Sequence, residues 1–161
     1  MIQLVPEPLS PEAFAPFGKV IETEGARHYP TNQGTATRFH ALATAESGPD
    51  GRVILSIFRG TRLPDPIAIT MLERHPLGSQ AFVPLSAHDW LVVVAERPEA
   101  GVLRCFQATG TQGVQYNSNT WHHPLLILAA EQDFLVVDRE GPGNNLEETE
   151  LDTTAQIRTD I

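Results

Sequence analysis

Three polar residues interrupt an otherwise apolar stretch in the middle of the chain: Glu73, His75 and Gln80, within ERHPLGSQAFVPL. A carboxylate, an imidazole and an amide in one short segment supply a proton acceptor, a group that titrates near neutrality and a fixed donor–acceptor pair. In IAITMLERH the two-residue period of a strand sends Ile67, Ile69, Met71, Glu73 and His75 to one face, and Ala68, Thr70, Leu72 and Arg74 to the other. The apolar face therefore ends in an acid and a histidine. Pro76, Leu77 and Gly78 make a turn, and Gln80 opens the next strand on the same side as Phe82. A hairpin there would carry Gln80 back to the Glu73/His75 end.

A second segment, GVQYNSNTWHHPLLIL, adds imidazoles. If it stays extended, Tyr116, Ser118, Thr120 and His122 share a face while Trp121 and His123 point away. His122 is then the partner of His75, although an irregularity at Asn117 to Asn119 would exchange it for His123. Glu73-x-His75, four residues, Gln80 has the spacing of the first cupin metal motif, His-x-His, four residues, Glu, with His122 in place of the second-motif histidine. His75, Gln80 and His122, with Glu73 beside them, could ligate a divalent transition ion. An amide in place of an acid lowers the negative charge of such a site and its hold on the ion. A single histidine at a strand end is more often packing than a ligand, so the argument rests on the group.

Other polar positions read differently. Arg38 and His40 lie on one face of ATRFHAL, and Arg59 ends RVILSIFR; either guanidinium could grip a carboxylate in a fork. Arg74 alternates outward, and His28 and His88 fall in exposed loops. There is no Gly-rich phosphate loop, no Gly-x-Ser-x-Gly, no Cys-x-x-Cys and no His-Glu-x-x-His, so nucleotide hydrolysis and dinucleotide redox chemistry drop out.

The elements that must position these residues are strands. Thirteen prolines and twelve glycines punctuate short β-branched and aromatic runs. About ten strands are expected: KVIET, ATRFHAL, RVILSIFR, IAITMLERH, QAFVPL, WLVVVAE, VLRCFQA, GVQYN, PLLILAA and DFLVVDRE. One short helix is expected at SPEAFAPFG, with Ser10 as cap, Pro11 in its first turn, and Pro16 and Gly18 ending it. The polar loop GARHYPTNQGT either lies on the surface or folds over a site. With so little helix available for parallel crossovers, pairing is mainly antiparallel. The fold class is all-β, a jelly roll or cupin-like double-stranded β-helix barrel whose mouth can hold a small ligand.

The 161 residues suit one domain, 1–161, with an acidic tail from about residue 143 that packs little or wraps a partner. Eleven Lys and Arg against twenty Asp and Glu give a formal charge of −9, without a local basic patch, which speaks against nucleic acid. No basic leader and no apolar run near ~18 residues is present, so a cytoplasmic protein without a membrane role is expected. The lone Cys105 suits a reducing compartment and reads as core.

The runs LERHPLGSQAFVPL and VQYNSNTWHHPL, followed by FLVVDR, resemble the ureidoglycolate lyases, also called ureidoglycolate hydrolases. The likeness extends from PLSPEAFAPFG through FLVVDREG and leaves out the acidic tail. It implies a homodimeric, cupin-like enzyme of allantoin breakdown that converts (S)-ureidoglycolate to glyoxylate and urea, with nickel as an associated metal. On that reading His75 or His122 takes the hydroxyl proton, and the other, or Tyr116, supplies one to the urea nitrogen. Glu73 assists an imidazole or binds urea N–H groups, Gln80 positions the hydroxyl or a metal, and Arg38 or Arg59 holds the carboxylate. An ammonia-releasing amidohydrolase, another cupin reaction such as an isomerisation, and a non-catalytic carboxylate binder are the competing readings.

Overall fold

The structure, a computed structural model, describes residues 1–159, so the last two positions of the expected 1–161 unit lie outside the described residues. The N-terminal part contains β1 (Ile2–Leu4), β2 (Glu7–Pro8), α1 (Pro11–Phe14), β3 (Gly18–Ile21), β4 (His28–Thr31), β5 (Ala36–Phe39) and β6 (Arg52–Thr61). The central part contains β7 (Ile67–Arg74), β8 (Gln80–Pro84), β9 (Trp90–Ala95), β10 (Arg104–Ala108) and β11 (Gly113–Tyr116). The C-terminal part adds β12 (Trp121–His122), β13 (Leu126–Ile127), β14 (Glu131–Glu140) and β15 (Glu147–Ile157).

The short helix forms as its residues dictate. Ser10 Oγ accepts the amide of Ala13 at 3.2 Å, Pro11 needs no donor in the first turn, and Phe14 anchors the turn edge-on to Phe106.

Two sheets carry the rest. The larger runs β1-β15-β7-β12-β9-β10-β2, with β13 added to β9; the smaller runs β3-β11-β8-β14-β6. From β7 onward the chain passes repeatedly between them: β8, β11 and β14 lie in the smaller sheet, and the strands on either side of each lie in the larger. That winding is the all-β, cupin-like architecture expected. Its pairing is antiparallel apart from β1 with β15 and β2 with β10. β7 and β8 consequently do not pair as a hairpin; Gln80 opens a strand in the other sheet.

β9 shows how the core is divided. All six of its residues are buried: Trp90, Val92 and Val94 face a cluster between the sheets with Phe82, Phe106, Tyr116 and Phe134, while Leu91, Val93 and Ala95 face a second cluster with Ile67, Ile69, Cys105 and Ile157. A strand buried on both sides reads as a continuous apolar run, and WLVVVAE is core rather than interface. The polar loop after β3 is a β4–β5 hairpin, a separate two-stranded unit. No helix among the described residues is long and apolar enough to cross a membrane.

Two expectations need correction. The acidic segment is not a loose tail: β15 pairs with β7 from Glu147↔Arg74 to Ile157↔Ile67, with a register shift between Glu150 and Ala155, and β1 pairs on its outer side. Its acids face water while Ala155 and Ile157 are fully buried, and Asp152 accepts the amide of Ala100 at 2.9 Å. Strict alternation along β7 also fails. Leu72 joins the cluster of Ile67 and Ile69, so the strand changes face where β15 bulges, and Glu73 turns to the opposite side from those isoleucines.

Candidate active site

Glu73 and His122 sit directly opposite one another in the β7–β12 ladder, which places both side chains on one face at the end of the larger sheet. His75 lies just past the end of β7. Its carbonyl accepts the amide of Asn119 at 2.8 Å, and Ser118 Oγ donates to the Pro76 carbonyl at 3.0 Å, so the turn before β12 clips the His75 loop in place. Asn119 takes φ 70° in that turn, a left-handed conformation that Asn tolerates better than most residues. The segment from Tyr116 to His122 therefore does not stay extended. His122 faces inward because β12 makes its own pairing with Glu73 and Val94, whereas His123 Nδ1 donates to the neighbouring Pro124 carbonyl.

The three groups converge. Glu73 Oε1 is 3.4 Å from His122 Nε2 and 3.9 Å from His75 Nε2, and one donor atom of each residue lies within 4.8 Å of the others. Both imidazoles are held in one tautomer. His75 Nδ1 faces the Asn145 carbonyl at 2.8 Å and His122 Nδ1 faces the Thr120 carbonyl at 2.9 Å; a carbonyl only accepts, so both Nδ1 atoms carry hydrogen. In the neutral ring each Nε2 then carries the lone pair, and both atoms are buried without a hydrogen-bond partner among the described residues. Burial pushes the Glu73 carboxyl up, but the His122 contact and the charges of His122, His75 and His123 pull it further down, and the balance lies below the ordinary carboxylate range. Burial lowers His123 from its ordinary value.

Two buried Nε2 lone pairs facing a carboxylate fit a divalent ion. Donors ~2.1 Å from a common ion lie at most ~4.2 Å apart, so two of the three separations already fit. Glu73, His75 and His122 are the donors that converge in this way.

Gln80 faces this group from the smaller sheet. It stands opposite Tyr116 in the β8–β11 ladder, and Tyr116 stacks on the His122 ring with centroids 4.2 Å apart and planes at 11°. Burial and the Glu73 carboxylate both raise the Tyr116 phenol, which stays protonated through any working pH. On the other side of Gln80 is Asp138, whose Oδ2 accepts from Gln80 Nε2 at 3.2 Å. Sequence reading missed Asp138, although a signal was there: Phe134, Val136 and Asp138 alternate inward along β14, so its apolar face ends in an acid. Asn145 and Thr120 were missed as well, because they act through backbone carbonyls and no side-chain pattern marks them.

The arginines are elsewhere. Arg59 is exposed and bound in a fork by Asp133, at 2.9 and 3.1 Å. Arg38 is exposed on the β4–β5 hairpin opposite Tyr29, and neither joins Glu73, His75 or His122 by an ion pair or hydrogen bond among the described residues. Arg74 points outward, with its guanidinium 4.4 Å from the Trp121 ring centre and paired to Glu147. His28 and His88 are exposed as expected.

A sequence model of the family described as ureidoglycolate lyase matches residues 1–158. The chain belongs to the ureidoglycolate lyase family. A ureidoglycolate lyase of Pseudomonas fluorescens Pf-5 is 53% identical over 152 residues, covering 92% of this chain and 91% of its own. One of Pseudomonas putida W619 is 52% identical with the same coverage. Family membership thus extends over β15, the strand that the resemblance in sequence left outside. Among solved structures, a Bacillus subtilis oxalate decarboxylase aligns with 71% of this chain and 31% of its own at 12% identity and a TM-score of 0.37, too distant to carry an argument.

Proposed function

We propose that this lyase cleaves (S)-ureidoglycolate to glyoxylate and urea by general acid–base catalysis between two imidazoles. Family membership supports the reaction; the roles rest on one observation, the two buried Nε2 atoms of His75 and His122 facing a single carboxylate. The substrate is a carbinolamide, so the reaction is a proton relocation. One unprotonated Nε2 takes the hydroxyl proton, the C–O bond becomes the aldehyde carbonyl, the C–N electron pair leaves with the urea nitrogen, and that nitrogen takes a proton from the other, protonated imidazole. Glu73 stabilises whichever ring is charged. Tyr116 keeps its proton and holds the His122 ring by stacking. Should a divalent ion such as nickel be held by His75, His122 and Glu73, it would occupy the two Nε2 lone pairs and supply Lewis acidity toward the substrate hydroxyl in place of the imidazole base.

Measuring first products tests the reading. Urea and glyoxylate should appear in equal amounts with no ammonia; ammonia as the first product would assign the chain to amidohydrolysis instead.

We also propose a homodimer formed by the outer face of the smaller sheet. Val53, Leu55 and Ile57 of β6 are 46, 69 and 63% exposed, and Leu135 and Val137 of β14 stand directly beside Ile57 and Leu55. Covering each of the larger side chains would contribute about 1.5–3 kcal/mol. Arg59 with Asp133 near one end of β6 and Arg52 with Glu140 at the other give the border both charge signs, as a self-complementary two-fold contact requires. Sedimentation velocity should show a dimer that Ile57→Lys converts to monomer; a dimer that persists would remove this face as the interface.

A further inference from the structure

We infer that Gln80 and Asp138 form the ureido-recognition edge of the site, with Asp138 as the positioning residue that fixes which edge of the Gln80 amide meets the substrate. The inference rests on the reaction proposed above, and it concerns substrate class: a neutral group rich in N–H donors.

A carboxylate only accepts hydrogen bonds, so the contact with Asp138 Oδ2 must be made by the Gln80 NH2 group, and the carbonyl edge is turned away from Asp138. That carbonyl oxygen, Oε1, is buried without a hydrogen-bond partner, in a residue only 6% exposed. A buried acceptor left unpaired costs about 1–3 kcal/mol, so the site carries an acceptor that a bound donor would satisfy.

Position along the strands locates that acceptor. Tyr116, Gln80 and Asp138 lie side by side on β11, β8 and β14, at the ends of the inward-facing rows of Val114, Phe82, and Phe134 with Val136. Tyr116 packs on His122, which places this row beside the group of Glu73, His75 and His122. Asp138 is half-buried, and its second oxygen, Oδ1, makes no hydrogen bond among the described residues.

Gln80 Oε1 and Asp138 Oδ1 are both acceptors without a hydrogen-bond partner among the described residues, so they suit the N–H donors of a ureido group and repel a carboxylate. The ureido end of the substrate therefore lies toward the smaller sheet, and its carboxylate lies away from it. Asp138→Asn is nearly isosteric but offers the amide either a donor or an acceptor, so it releases the orientation of Gln80. Gln80→Met removes the acceptor while keeping the volume.

The test is binding of urea and of glyoxylate, each alone, followed by ligand-observed NMR on the intact protein, a readout that needs no turnover. Both variants should weaken urea binding at least about tenfold and leave glyoxylate binding within about twofold; a purely structural role would weaken both together. Equal loss of both ligands, no loss of urea, or no urea binding by the unaltered protein would overturn the inference. If the unaltered protein releases urea from ureidoglycolate and the split is missing, the recognition edge alone fails. If the split is present without turnover, the proposed reaction alone fails.

Discussion

The two sheets contribute opposite kinds of chemistry to the same barrel mouth. From the larger come titratable groups, Glu73, His75 and His122, with two imidazole nitrogens and a carboxylate converging. From the smaller come groups held in one state: Tyr116, whose phenol burial keeps protonated, and Gln80, whose amide Asp138 orients. Proton transfer needs groups that change state, and recognition needs groups that do not, so the division lets one sheet be tuned without disturbing the other. The backbone enforces it as well. Carbonyls of Asn145 and Thr120 fix the imidazole tautomers, leaving only Nε2 for chemistry.

Breaking the proton-exchanging side should have the largest effect. His122→Ala or His75→Ala is expected to lower kcat about 10²- to 10⁴-fold, the usual contribution of a positioned acid or base, with the thermal transition retained. Unchanged urea release by either variant would remove that residue from the proton pathway. Glu73→Gln comes next. It retains the shape but loses a charge partner worth about 1.5–3 kcal/mol, or about 10- to 100-fold in kcat, with little change in KM. A change confined to KM would instead make Glu73 a substrate-binding group.

Tyr116→Phe sharpens the comparison from the other side. Phe keeps the ring stacked on His122 and deletes only the hydroxyl, so kcat should stay within about twofold if Tyr116 acts by packing. A loss of about 10² or more would show the phenol to be a proton donor and would move Tyr116 to the exchanging group.

The same division explains what could be read from the sequence. Glu73, His75 and Gln80 were legible as polar residues at the edges of apolar runs and His122 as an imidazole in a second such segment, although the parity that grouped them did not hold: β7 changes face and Tyr116 to His122 does not stay extended. Asp138 carried that signal too and was passed over, since an acid followed by Arg139 at a strand end also reads as an ordinary solvated terminus. The β15 strand was hidden by composition: its acids line the water-facing side, and only Ala155 and Ile157 mark the buried one. The face change in β7 was not legible, because it depends on extra residues in β15, a partner more than seventy positions away. Arg59 showed the limit of residue type as evidence. Its guanidinium suited a carboxylate, and it found one in Asp133.

Cys105 gives the smallest effect and bounds the comparison. It lies in the cluster behind the larger sheet with Leu91, Val93 and Ala95, on the opposite side of β9 from the cluster containing Tyr116. Burial, with a smaller contribution from Glu7, pushes its thiol up to about 12. At pH 8 only about one molecule in ten thousand would carry the thiolate that reacts with an alkylating reagent. The folded protein should therefore resist iodoacetamide at pH 8 and keep full activity, while the urea-unfolded chain reacts within minutes, as mass spectrometry would record. Rapid alkylation of the folded chain would mean that the back cluster opens, and exchangeable protons would then not be confined to the inward face of the larger sheet.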